Sequence, residues 1–145
     1  MVSRKVYQFG LILTLIFLLN FAWEISQMAL YAVHTKGIMD IISVHLRATL
    51  GDMILFLIIY TFGILVFRNR YWAAGNNKTK YTFVILAGSV VSILVEKLAL
   101  LSGRWSYNQP MPTIPVLNVG LTPVLQMIIL PIIAVIFSEK ISRKY

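Results

Sequence analysis

The stretch 48-ATLGDMILFLIIYTFGILVF-67 carries a single charged side chain, Asp52, in 20 residues. A helix of that length rises about 30 Å, the thickness of a bilayer's hydrocarbon core. A water-facing domain cannot be assembled around such a run, because it offers no polar face. Three further runs of similar character, at about 6–30, 81–101 and 119–138, flank it in the chain. They predict an all-α polytopic membrane protein, a four-transmembrane-helix bundle forming one domain over residues 1–145. A lead-in to the second span from about residue 38 is expected to be helical. The short alternating segments of a membrane β-barrel are absent.

Composition agrees. The chain is 59% hydrophobic and 12% charged, about half the charge of an ordinary soluble domain. A net charge of +8 would point to nucleic acid in a soluble protein. Here the basic residues flank spans, where they set orientation and meet anionic lipid, so nucleic acid is not the expected partner. Nine of the 13 Lys and Arg residues fall in the N-terminus, the second connection and the C-terminal tail. Lys36, Arg47 and Arg104 fall on the other side. The positive-inside rule therefore predicts both termini in the cytoplasm. The sequon Asn77-Lys78-Thr79 would then be silent. The first apolar run is too long for a signal peptide and lacks a cleavage site, so a retained helix is expected. Short connections and no targeting feature point to a bacterial inner membrane. There is no cysteine, which excludes disulfides and thiolate chemistry.

Three of the five acids, Glu24, Asp52 and Glu96, lie inside spans. With alternating topology all three sit at one depth, roughly 6–9 Å below the outer boundary. Polar companions share their faces at helical spacing: Asn20, Glu24 and Gln27 in span 1, and His45, Thr49 and Asp52 in span 2. Ser89, Ser92 and Glu96 follow in span 3, with Thr122 and Gln126 in span 4. The cytoplasmic halves show only Leu, Ile, Val and Phe with a few Gly and Thr. Charges in a bilayer face the bundle interior or a wet cavity, which predicts one outward-opening polar pocket. Lys97 is expected to point away from Glu96, being adjacent on the helix. Pro131 is expected to free a backbone carbonyl near Met127.

The chain leaves span 3 through Gly103-Arg104-Trp105-Ser106-Tyr107 and turns on Pro110, Pro112 and Pro115. This predicts a shaped loop over the acids. Trp23, Trp72, Trp105, Tyr71 and Tyr107 fit the aromatic belts of a membrane protein. Arg104 and Trp105 would guard the mouth of the pocket.

Three carboxyls in a low-dielectric site cannot all ionise, so a proton remains available near neutral pH. A neutral acid beside a carboxylate is a donor–acceptor pair for moving protons on an apolar substrate. It also suits coupled transport or a cation site. No P-loop, G-x-S-x-G, H-E-x-x-H or dinucleotide fingerprint occurs. No cofactor and no metal are expected. The candidate catalytic residues are Glu24, Asp52 and Glu96. The candidate substrate contacts are Asn20, Trp23, Gln27, His45, Arg104, Trp105, Tyr107 and Gln126. The expected partner is a membrane lipid or apolar small molecule, and self-association is compatible with the apolar exterior. A second reading stands beside this one: a lipid-binding, transport or assembly module whose acids clamp helices together.

The order NFAWEISQ (20–27), LGDMI (50–54), a late acid in span 3 and LQMIILP (125–131) resembles the EXPERA-type four-helix domain of sterol-isomerase and sigma-2-receptor-like proteins. That resemblance implies a carboxylate-lined cavity for a sterol-like or cationic amphiphile, lined by Glu24, Asp52, Glu96 and Gln126. Asn20 stands where that family has His. Glu96 followed by Gly103-Arg104-Trp105-Ser106-Tyr107 is also similar to lycopene-cyclase-type membrane domains. There the later Pro-x-Glu-Glu motif is replaced here by Thr122-Pro123-Val124-Leu125-Gln126. Both resemblances imply carboxyl groups acting on an isoprenoid or sterol within the bilayer.

Overall fold

The computed structural model describes residues 3–32, 37–74 and 77–144. Lys36, counted above among the outer cations, lies outside them. Four long helices form: α1 (Arg4–Ser26), α2 (Ile38–Phe67), α3 (Lys78–Leu101) and α4 (Leu121–Ser142). All four are long and apolar enough to cross a membrane. Hydrocarbon offers no partner for a bare N–H or C=O, so each span satisfies its own backbone as a helix. Neighbours in sequence pack side by side, and α4 closes the ring against α1. Both termini and the α2–α3 connection lie at one end, and the α1–α2 and α3–α4 connections at the other.

Local chemistry sets the boundaries. α1 ends at Ser26 and not near residue 30, because Ser26 Oγ turns back to Trp23 O at 2.7 Å. A 3-10 turn at Met28–Leu30 follows. α2 includes the expected lead-in and runs 30 residues, about 45 Å, beyond the needs of a span alone. Asn77 caps α3, its Oδ1 accepting from Thr79 N–H at 2.9 Å, so the sequon asparagine has a structural use.

The α3–α4 connection folds back as a two-stranded antiparallel hairpin, β1 (Thr113–Ile114) with β2 (Val119–Gly120). Inside α4, Pro131 has no N–H to return to Met127 O. Gly88 of α3 lies against that carbonyl: a Cβ at position 88 would sit 2.7 Å from Met127 O. The two backbones touch because position 88 has no side chain.

Two expectations are corrected at the terminal end. Trp72 is not in an interfacial belt but is 2% exposed. It stacks on Phe67 (5.3 Å, 19°) and meets Phe83 edge-on (5.3 Å, 82°). Its Nε1–H donates to Tyr60 O at 2.9 Å, and a Cβ at Gly63 would come within 2.3 Å of the indole. A Gly-lined slot in α2 therefore swallows the ring, which hydropathy cannot reveal. This half of the bundle is also not purely apolar. Buried Gln8 donates to Glu139 Oε2 at 2.8 Å, and Arg143 Nε reaches Glu139 Oε1 at 3.2 Å.

Candidate functional site

α4 is the most enclosed helix, with 44% of its apolar window buried against 17% for α1. A polar side chain there must therefore find protein partners, and Gln126 does. Its Nε2 lies 2.9 Å from Asn20 Oδ1, 3.0 Å from Glu24 Oε1 and 2.8 Å from Asp52 Oδ2. Its Oε1 accepts from Gln27 Nε2 at 3.0 Å. The same Gln27 nitrogen donates to Glu24 Oε1 at 2.7 Å, and Trp23 Nε1–H donates to Gln27 Oε1 at 3.2 Å. One amide on α4 thus ties α1 to α2, and the Glu24 and Asp52 carboxyls lie side by side. Gln126 Nε2 carries only two hydrogens for three acceptors. At most two of the three contacts are hydrogen bonds at once.

Glu96 is 4% exposed and forms a second branch. Its Oε2 accepts from the Tyr107 hydroxyl and, at 3.4 Å, from Trp105 Nε1–H. Tyr107 Oη in turn accepts from Gly120 N–H at 2.8 Å, which ties the branch to the start of α4. Tyr31, from the first connection, also reaches Glu96. Its ring meets Tyr107 at 5.6 Å and Trp105 at 6.3 Å, both edge-on. Burial first, and Glu96 next, push both phenols well above their usual pKa, so Tyr31 and Tyr107 remain hydrogen donors.

These aromatic contacts belong to a roof. Ala32 N–H donates to Ser106 O at 3.0 Å and Asn108 N–H to Leu30 O at 2.9 Å. The Asn108 side chain donates to Ala29 O and Tyr31 O at 3.0 and 2.9 Å. The two connections at this end are thereby stitched together above the acids. An opening at this end was expected; the described parts of the connections pair with each other there, Asn20, Gln27, His45, Glu96 and Gln126 are buried, and Glu24 and Asp52 keep partial exposure.

The remaining expected residues divide. Arg104 is exposed and lies 5.7 Å over the Trp105 ring, at the rim and away from the acids. Lys97 makes no ion pair with Glu96 among the described residues. Thr49 spends its hydroxyl hydrogen on His45 O at 2.8 Å. His45 turns towards the acids, with Nδ1 3.8 Å from Glu24 Oε2. Tyr31 was missed by sequence reasoning. Its only local signal was an aromatic residue four positions after Gln27, and the helix breaks between them.

Among the described residues no group of three or more His, Asp or Glu is placed to hold a metal ion. The arrangement offers a carboxyl pair able to share and pass one proton, a third carboxyl held by phenols, and apolar walls. No protein-family model matches this chain, and neither does any curated protein or solved structure.

Proposed function

We propose that this chain is an intramembrane acid–base enzyme, isomerase- or cyclase-like, acting on an isoprenoid, sterol-like or other lipid. The observation that carries the reading is the Glu24–Asp52 carboxyl pair under one shared amide, Gln126. A carboxyl pair in a dry site shares a proton. One carboxyl delivers it to one alkene carbon, which leaves positive charge on the other, and the second carboxyl takes a proton from the allylic carbon beside that charge. The double bond moves, and the pair ends with the proton on its other member. The step balances without redox or an added reactant. Glu96, screened by Tyr31 and Tyr107, is suited to face the positive charge that builds up between the two transfers.

The resemblance to EXPERA-type and lycopene-cyclase-type domains belongs to this reading, as does an inner bacterial membrane. The concentration of Lys and Arg at the terminal end supports a cytoplasmic placement of both termini. The second reading is a non-enzymatic lipid-binding or assembly module. The observation that favours it is the extent to which the cluster hydrogen-bonds to itself beneath a stitched roof.

Solvent exchange separates them. Membranes containing the protein are incubated in deuterated water with mixed isoprenoid and sterol lipids, and the lipids are analysed by mass spectrometry. The acid–base reading expects deuterium at carbon in one lipid class, abolished by Asp52→Asn and Glu24→Gln and cut at least about 100-fold by Glu96→Gln, with the fold retained. No protein-dependent exchange in any class, with the same variants simply melting earlier, would establish the module instead.

A further inference from the structure

We propose that His45 and Glu24 seat the hydroxyl group of a neutral long-chain alcohol, at the roofed edge of the carboxyl chamber. This rests on the acid–base reading above and gives that site a substrate class.

His45 is 4% exposed, and neither ring nitrogen has a hydrogen-bond partner among the described residues. Buried polar groups nearly always have partners, and an idle imidazole at a cluster of acids points to something the cluster binds. Nδ1 stands 3.8 Å from Glu24 Oε2, too far for a hydrogen bond. Thr49, one turn along, gives its hydrogen to the His45 carbonyl and offers none to the ring.

The chemistry of the occupant follows from what is idle. Neutral imidazole presents one donor and one acceptor. Beside it Gln126 Nε2 faces three acceptors with two hydrogens, so one of those three goes without it at any time. An anion would be repelled by Glu24, Asp52 and Glu96. An ammonium group only donates and would leave the imidazole N–H idle. A hydroxyl does both: it accepts from the ring N–H and donates to Glu24 Oε2. His45 precedes Asp52 by seven residues, about 10 Å along α2 towards the connections. A hydroxyl held there leaves its hydrocarbon chain to run out between the helices towards lipid, because the terminal half of the bundle is filled by its own core.

The test uses the full chain in lipid nanodiscs with His34→Gln, so that His45 is the only imidazole. Three probes are compared: a C20 prenyl alcohol, its methyl ether and the corresponding primary amine. Imidazole nitrogen-15 shifts and affinities are measured for each. The expected result is that the alcohol moves both ring resonances and binds about tenfold tighter than the ether. His45→Leu should erase that preference and His45→Gln retain most of it. Equal affinity for alcohol and ether overturns the proposal. So does a ring response to the amine alone, or ring shifts that the alcohol leaves unchanged because water alone occupies the seat. The alcohol–ether comparison needs no His45 variant, so a misfolded one cannot mask the answer. Alcohol preference without deuterium exchange would keep the seat and remove the acid–base reading. Exchange without alcohol preference would do the reverse.

Discussion

The two ends of the bundle solve one packing problem by different means. At the terminal end Trp72 fills a slot made by Gly63 and is surrounded by Tyr60, Phe67 and Phe83. At the opposite end Gln126 ties Asn20, Glu24, Gln27 and Asp52 together by hydrogen bonds. Lipid tails are as apolar as leucine, so the aromatic end is held by close fit rather than by escape from water. The polar end is held by donors and acceptors that have no alternative partner in hydrocarbon. Fit is complete at one end, with the indole N–H satisfied. At the other end one amide nitrogen faces three acceptors, and His45 has no hydrogen-bond partner among the described residues. One end closes its hydrogen bonds; the other keeps unused hydrogen-bonding capacity, which is what the proposed function draws on.

This contrast can be broken by substitution. The largest expected effect is Trp72→Ala, which empties the slot and removes the indole's hydrogen bond to Tyr60 O. It should cost about 3 kcal/mol in reversible unfolding from detergent. Trp72→Phe should recover more than half of that, since shape is what matters there. Next, Gln126→Leu preserves volume but leaves Asn20, Glu24 and Asp52 without their shared donor, for a loss of about 2 kcal/mol. If this volume-conserving change cost no more than Trp72→Phe, the polar end would be held by fit as well, and the distinction would fail.

Tyr107→Phe should cost about 1 kcal/mol near neutral pH by removing the hydrogen bond to Glu96. It also sharpens the picture through pH. Tyr31 and Tyr107 have folded pKa values raised above that of a free phenol. Their contribution is complete below the unfolded value near about 10 and is lost as pH rises above it. Unfolding followed from pH 8 to 12 should therefore show stability falling on the alkaline side, and Tyr107→Phe should flatten that slope. An unchanged slope would mean the roof phenols are not coupled to folding. The smallest effect is expected at the terminal surface. Arg4→Ala breaks a half-exposed 3.5 Å pair with Glu139, worth under about 0.5 kcal/mol, and that difference should vanish in high salt.

Much of the site was legible before any coordinates. The spacing of Asn20, Glu24 and Gln27, and of His45, Thr49 and Asp52, placed each set on one helix face, and the acids of the first three helices do gather at one end. What spacing could not supply was partnership. Glu96 looked equivalent to Glu24 and Asp52, yet its hydrogen bonds go to Tyr107, Trp105 and Tyr31. Trp72 read as one of the aromatic-belt residues, and the Gly63 slot is what takes it inwards. The Gln8–Glu139 contact escaped notice because its members lie 131 residues apart.

Amino-acid order alone determined the number of helices, their approximate limits and the end of the bundle at which the acids gather. In hydrocarbon every backbone group must be paired within its own helix, so those features are written locally. The tertiary structure alone decided that Gln126 is the hub, that Tyr31 and Tyr107 roof the acids, and that His45 is left unpartnered. These depend on which side chains meet across the bundle, and contacts such as Asn108 to Ala29, 79 residues apart, leave no periodic trace in the chain.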